Sequence, residues 1–269
     1  MSEPLGIIAG NGEFPLLLAR TARTQGVHTV TAAFKGETNP DITQAADEVE
    51  WVRLGQLNHL IEVFTKRHVT RAVMAGGITP ANLYKNLSLD FRMIAVAARL
   101  KVRNAQTIFG AIADECAKDG VTLLDPRPFF GDAVPQPGTL TRRTPDRVQQ
   151  DDIAFGFKVA KAVAGLDIGQ TVVVKQGTVL AVEGFEGSDE CIRRGGALAG
   201  EKGGAVVVKV AKPNHDFRFD IPCVGRKTID SCVASKVAVL AVEAGATLFL
   251  DRENVLATAE QSQLVVLAQ

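Results

Sequence analysis

The 269-residue sequence carries no net charge, its 30 lysines and arginines being matched by 30 aspartates and glutamates. No global field draws it to nucleic acid or to an anionic surface, and no nucleic-acid partner is expected. It also lacks any apolar run near the roughly 18 residues that a bilayer-spanning helix needs. Its opening residues, Met1-Ser2-Glu3-Pro4-Leu5, are acidic and lead straight into a short apolar stretch, so no secretory signal is read there and a cytoplasmic location is expected. No Cys-x-x-Cys pair occurs. The four cysteines, Cys116, Cys191, Cys223 and Cys232, are scattered, and none has a histidine at zinc-finger spacing. They are expected to be reduced thiols that mostly fill packing positions. Internal repeats and low-complexity tracts are absent as well.

What is present is an alternation of short apolar strands and amphipathic helices, the pattern of an α/β fold. In the first half, strands are predicted over 5–9, 27–33, 70–75 and 121–124, and helices over 14–24, 57–66, 87–101 and 105–118. Together they describe a Rossmann-like domain over residues 1–131. Leu83, Leu87, Phe91 and Ile94 recur at helical spacing and are read as core. Gly10-Asn11-Gly12 closes the first strand and Gly76-Gly77 the third. Parallel strands ending side by side would bring both turns to one crevice, where backbone N–H groups can approach a phosphate. The dinucleotide fingerprint is incomplete: Pro15 stands at the third glycine position, and the second strand ends at Phe34-Lys35 without a ribose-binding acid. A nicotinamide site is therefore not expected.

Pro126, Pro128, Pro135, Pro137 and Pro145, with Gly131 and Gly138, predict an extended connector. A second α/β domain follows over 138–269. It contains a helix over 153–164, a hairpin turning at Lys175-Gln176-Gly177, a helix over 190–198 after Gly187-Ser188-Asp189, strands over 237–242, 247–250 and 264–267, and a helix over 252–261. Its densest charge lies between Lys209 and Gly225, where Lys209, Lys212, Arg218 and Asp220 follow the apolar run 205–208. Pro213 and Pro222 forbid a helix there, and Arg218 and Asp220 would alternate onto one side of an extended segment. Such a cluster serves either as an anion site or as a solvated loop of ion pairs. For Asp220 the alternatives are a reactive carboxylate and an ion pair with Arg218 or Lys212.

Ordered motifs along nearly the whole chain narrow this choice. They are Ile7-Ile8-Ala9-Gly10-Asn11-Gly12, Ala75-Gly76-Gly77, Asp167-Ile-Gly-Gln170, Ala181-Val-Glu183, Glu186-Gly187, Arg193-Arg194-Gly-Gly196, Lys209-Val-Ala-Lys-Pro213, Arg218-Phe-Asp220-Ile-Pro222 and Gly225 through Thr228-Ile229. In order and spacing they resemble the UDP-2,3-diacylglucosamine pyrophosphatases of the LpxI type. The resemblance implies divalent-cation-dependent hydrolysis of UDP-2,3-diacylglucosamine to UMP and 2,3-diacylglucosamine 1-phosphate (lipid X), a step of lipid A biosynthesis, with Mg²⁺ as the expected cation. It places Asp220 at the family's essential aspartate, as metal ligand or water-orienting base. Lys209, Lys212 and Arg218 are then expected to clamp phosphate, and Gly10, Asn11, Gly12, Gly76, Gly77, Gln170, Ser188, Asp189 and Thr228 to contact substrate. A transient contact with the inner membrane and a homo-oligomer are also expected. The rival class is a non-catalytic module that binds a nucleotide-sugar or lipid phosphate, since the same basic loops would hold a diphosphate that is never cleaved.

Overall fold

The computed structural model describes residues 3–79, 88–100 and 105–269 and divides into two compact units. The first comprises Met1–Phe130 with Asp216–Asp220, and the second Gly131–His215 with Ile221–Gln269. The segment 216–220, expected within the second domain, thus belongs to the first unit.

In chain order the first unit contains β1 (Leu5–Ala9), α1 (Phe14–Thr24), β2 (Thr29–Phe34), α2 (Ile42–Ala45), β3 (Glu48–Val52), α3 (Leu57–Thr65), β4 (Arg71–Ala75), α4 (Phe91–Arg99), α5 (Ala105–Lys118) and β5 (Thr122–Leu123). The strands form a parallel sheet in the order β3-β2-β1-β4-β5. This is the Rossmann order, its reversal lying between β1 and β4. All residues of β1 are buried, as a central strand covered on both faces requires. Pro15 sits in the first turn of α1, where its missing N–H is not needed. Helix α3 buries Leu57, Leu60, Ile61 and Phe64, one stripe of 3.6-residue periodicity.

Two departures from expectation have local causes. Strand β3 was not predicted because Glu48 and Glu50 interrupt its apolar signal. Arg67 holds both carboxylates at the sheet edge, through Nε to Glu48 at 2.8 Å and Nη2 to Glu50 at 3.0 Å. Helix α4 is shorter than predicted because the Asp90 carboxylate accepts from Met93 N at 2.8 Å and caps it. Of the stripe read as core, Phe91 is 92% and Ile94 49% exposed. Leu83, Leu87 and the expected helix end at Lys101 lie outside the described residues.

The second unit contains β6 (Gly138–Thr139), α6 (Arg147–Gly165), β7 (Thr171–Lys175), β8 (Thr178–Val182), α7 (Ser188–Leu198), β9 (Val206–Lys209), β10 (Cys223–Val224), α8 (Arg226–Ala234), β11 (Val239–Val242), β12 (Leu248–Phe249), α9 (Arg252–Gln261) and β13 (Val265–Ala268). The main sheet runs β6-β13-β11-β9-β7-β8, with β13, β11 and β9 parallel and the remaining pairings antiparallel. Strands β10 and β12 form a separate parallel pair. Helix α6 packs Ile153, Ala160 and Ala164 with Val174, Val208 and Ala241 into one core. Ile192 of α7, Ile229 of α8 and Val255 of α9 share the other core with Val173, Val207 and Leu240. The glycines of the Arg193-Arg194-Gly195-Gly196 motif serve this packing: a Cβ on Gly195 would lie 2.5 Å from Val173, and one on Gly196 2.4 Å from Ser235. The proline-rich connector is more structured than expected. It forms 3-10 turns at Arg127–Phe129 and Gly131–Ala133, and then β6, which pairs with β13.

At the β7–β8 turn, Gln176 and Gly177 both take left-handed backbone conformations, with φ of 49° and 70°. This is the twist that a two-residue hairpin prefers. Asp152, only 3% exposed, accepts from both turn amides, at 2.8 Å from Gln176 N and 2.7 Å from Gly177 N. Replacing Asp152 with Ala removes both bonds from the turn, and urea unfolding is expected to show a loss of about 1–3 kcal/mol.

Burial pushes the thiols of Cys116 and Cys191 up to about 12 and also raises that of Cys232. Cys223 is half-buried. Because the thiolate is the reactive form, iodoacetamide at neutral pH is expected to modify Cys223 in the native protein and all four cysteines after denaturation, as counted by mass spectrometry.

Candidate functional site

The first set of expected site residues meets at the ends of β1 and β4. Gly10 N donates to Ala75 O at 2.8 Å, Asn11 N to Gly77 O at 2.8 Å, and Gly77 N to Asn11 Oδ1 at 3.3 Å. A Cβ on Gly10 would stand 2.2 Å from Gly77 O, and one on Gly76 2.2 Å from Asn11 O. These glycines are therefore required by the approach of two backbones, and the amides of Gly10 and Asn11 are engaged in that contact. Gly12, at φ +84° with nothing near its Cα hydrogens, provides the turn into α1. The Asn11 side chain donates to Glu37 Oε2 and to Thr79 Oγ1, both at 3.1 Å. Glu37 was not singled out in the sequence, since it lies in a loop beyond the strand end.

Asp220 closes the segment that belongs to this unit. The segment is not extended as predicted but turns at Phe217, Arg218 and Phe219. The ring of Phe219 packs against the core of the unit, with its centroid 6.3 Å from that of Phe109, and the Arg127 guanidinium lies 3.5 Å over the ring of Phe217. Arg218 turns back onto Asp216 in a two-pronged pair, Nε–Oδ1 at 2.9 Å and Nη2–Oδ2 at 2.7 Å. Those bonds raise the Arg218 pKa further, so it stays cationic. Asp220 follows immediately and is exposed.

The second set lies in the second unit, at the C-terminal end of β9. Lys209 Nζ donates to Ser188 Oγ at 2.9 Å. That hydroxyl also lies 2.9 Å from Glu183 Oε1 and 2.9 Å from Thr171 Oγ1. Glu183 Oε2 accepts from Gln170 N at 3.0 Å, and Gln170 O accepts from Val210 N at 2.9 Å. Gln170, Ser188 and Lys209 are thus brought together, with Thr171 as a member that the sequence did not single out and Glu183, carried by the motif Ala181-Val-Glu183, as the carboxylate beside them. Gly187 is the N-cap of α7, and Asp189 and Glu190 occupy its first turn, so the helix dipole is met by the chain's own carboxylates. Asp189 Oδ1 is shielded from solvent and has no hydrogen-bond partner among the described residues. Lys212 pairs with Asp167, and Arg194 with Glu186 at 2.5 Å. Thr228 is buried in the first turn of α8. Among the described residues no three His, Cys, Asp or Glu side chains converge as a metal-binding group.

Residues 4–133 match the model of the LpxI N-terminal domain, and residues 136–267 that of the LpxI C-terminal domain. The chain belongs to the LpxI family. The UDP-2,3-diacylglucosamine pyrophosphatase LpxI of Caulobacter vibrioides is 29% identical over 274 residues, which cover 98% of this chain and 96% of that relative. Among solved structures, the biotin carboxylase subunit of pyruvate carboxylase aligns at 13% identity with a TM-score of 0.27, over 64% of this chain and 34% of that one. The chain thus spans about a third of that structure, and a likeness so low carries no argument.

In this LpxI-family chain the contact of the two glycine turns leaves no room for a side chain. Gly10→Ala is expected to cost about 1–3 kcal/mol and to lower the melting temperature of the protein by roughly 2–8 °C in a thermal scan.

Proposed function

We propose that the chain hydrolyses the diphosphate of UDP-2,3-diacylglucosamine, releasing UMP and lipid X. The observation that carries this reading is the end-to-end match to a relative of that name, through both family domains. Water adds to the phosphorus on the sugar side, the bond from that phosphorus to the bridging oxygen breaks, and UMP leaves with that oxygen. The diphosphate must be neutralised and the water aligned for this to occur.

In this reading the exposed Asp220 carboxylate faces the attacking water or a cation, and the anchored Phe217 and Phe219 hold it in place. Lys209, fixed by Ser188 and Glu183, supplies charge to a phosphate, while Lys212 and Arg218 exchange part of their pairing with Asp167 and Asp216 for phosphate oxygens. Gln170, Asp189 and Thr228 add polar contacts, and the Gly10-Asn11-Gly12 and Gly76-Gly77 crevice receives the nucleotide. The side chains present fit a Mg²⁺ that takes one carboxylate, from Asp220, and fills the rest of its shell with substrate phosphate oxygens and water, as Mg²⁺ commonly does. When bound, such a cation withdraws charge from the diphosphate.

Leu166, Ile168 and Phe185, exposed by 73%, 50% and 97%, flank Gln170 and Glu183 in sequence and are assigned here to the acyl chains. Among the described residues no helix is long and apolar enough to cross a membrane. We propose that the enzyme works on the cytoplasmic side and reaches its lipid by transient contact.

Incubation with UDP-2,3-diacylglucosamine and Mg²⁺ is expected to release UMP and lipid X in equal amounts. EDTA should abolish release, and Asp220→Ala should lower kcat by about a hundredfold or more without changing the melting temperature. A folded wild type that binds the substrate and releases nothing would instead support a binding module.

A further inference from the structure

The second strand of a sheet in this order commonly ends near an acid that reads a ribose, and β2 has none at its final residues. The structure supplies one by folding the next loop back. Gly36, at φ +82°, turns the chain so that the amides of Glu37 and Thr38 both donate to Phe34 O, at 3.1 and 3.0 Å. Thr38 Oγ1 then donates to Ala9 O at the end of β1, at 2.5 Å, which ties the loop over the crevice. Glu37 is consequently only 9% exposed. Its Oε2 accepts from Asn11 Nδ2 at 3.1 Å and from both the amide and the hydroxyl of Thr79 at 3.0 Å. One carboxylate thus joins the turn after β1 to the chain beyond β4, at the point where ligands of such sheets bind.

The hydroxyl of Thr79 is the informative partner. It belongs to an exposed residue and shows that an O–H donor can reach this shielded carboxylate. A vicinal diol presents two O–H groups together, the number of donors that Thr79 now supplies, so a diol that displaces Thr79 leaves the carboxylate equally bonded. We propose that Glu37 is a specificity residue for the nucleotide half of the substrate, accepting hydrogen bonds from the ribose hydroxyls while Asn11 orients its carboxylate. The proposal rests on the pyrophosphatase reading above and adds to it the part of the substrate that this crevice selects. An amide in place of the carboxylate keeps the size of the side chain but removes the charge that makes the hydroxyl bonds strong.

The test is calorimetric titration of UMP and 2′-deoxy-UMP into the full-length wild type, Glu37→Gln and Glu37→Asp, with melting scans of each and turnover of UDP-2,3-diacylglucosamine alongside. The wild type is expected to favour UMP by about tenfold or more, the worth of one hydroxyl bond to a charged acceptor. In Glu37→Gln that preference should shrink to within about threefold, chiefly through weaker UMP binding, with a higher KM and little change in kcat. If this variant does not melt cooperatively, Glu37→Asp, which keeps the charge but withdraws it from the diol, is read in its place for the same loss of preference. A wild type that binds the two nucleotides equally overturns the proposal. So does a folded variant that keeps the preference, or one that loses affinity for both nucleotides alike, which would mark a structural role. A wild type that hydrolyses the substrate but binds no UMP overturns this inference and leaves the proposed function standing. A wild type that does neither removes both.

Discussion

The arrangement of the first unit depends on one contact, the approach of two peptide backbones where β1 and β4 end. Carbonyl and Cα pass so closely at Gly10 and Gly76 that any Cβ would lie inside a neighbouring atom. Two backbone hydrogen bonds, Gly10 N to Ala75 O and Asn11 N to Gly77 O, then continue the pairing past the last regular pair of β1 and β4. Because the contact is made by main chain, it sets the spacing of the crevice regardless of rotamers. Asn11, Glu37 and Thr79 inherit their positions from it.

The second unit places its cation differently. Lys209 ends a buried central strand whose preceding residues, Val206 to Val208, are fully enclosed, so its ammonium has little freedom in where it emerges. Ser188 then converts that position into an orientation, because one hydroxyl bridges the ammonium and the Glu183 carboxylate. The other cations of the motif-bearing loops behave as local partners. Lys212 meets Asp167, Arg218 meets Asp216 and Arg194 meets Glu186. Of these the two-pronged Arg218 pair is the firmest, while the part-exposed single contacts each contribute little in water, about 1 kcal/mol or less.

Much of the architecture was legible in the chain itself. Helices 14–24, 105–118 and 252–261 and strand 5–9 follow from apolar periodicity and terminate where the structure terminates them. The hairpin at Gln176-Gly177 follows from turn chemistry. Strands β3 and β10 escaped because short or charge-interrupted strands become strands only by pairing with a neighbour, whereas β12 lies within the predicted strand 247–250. Phe91 illustrates the opposite error, since helical spacing of apolar residues identifies a face but not what covers it.

For the site, the sequence by itself determined which residues recur in the motifs of the family and that glycines stand at both strand ends, because backbone sterics and residue chemistry are local properties. Only the tertiary structure decided that Asp216–Asp220 packs with the first unit through Phe219, that Glu37 returns to the crevice over Ala9, and that Ser188 and Glu183 fix Lys209. Each of these joins residues far apart in the chain. The free energy that selects such a partner comes from buried rings and shielded hydrogen bonds that exist only after the sheets have formed, so no window of sequence contains it.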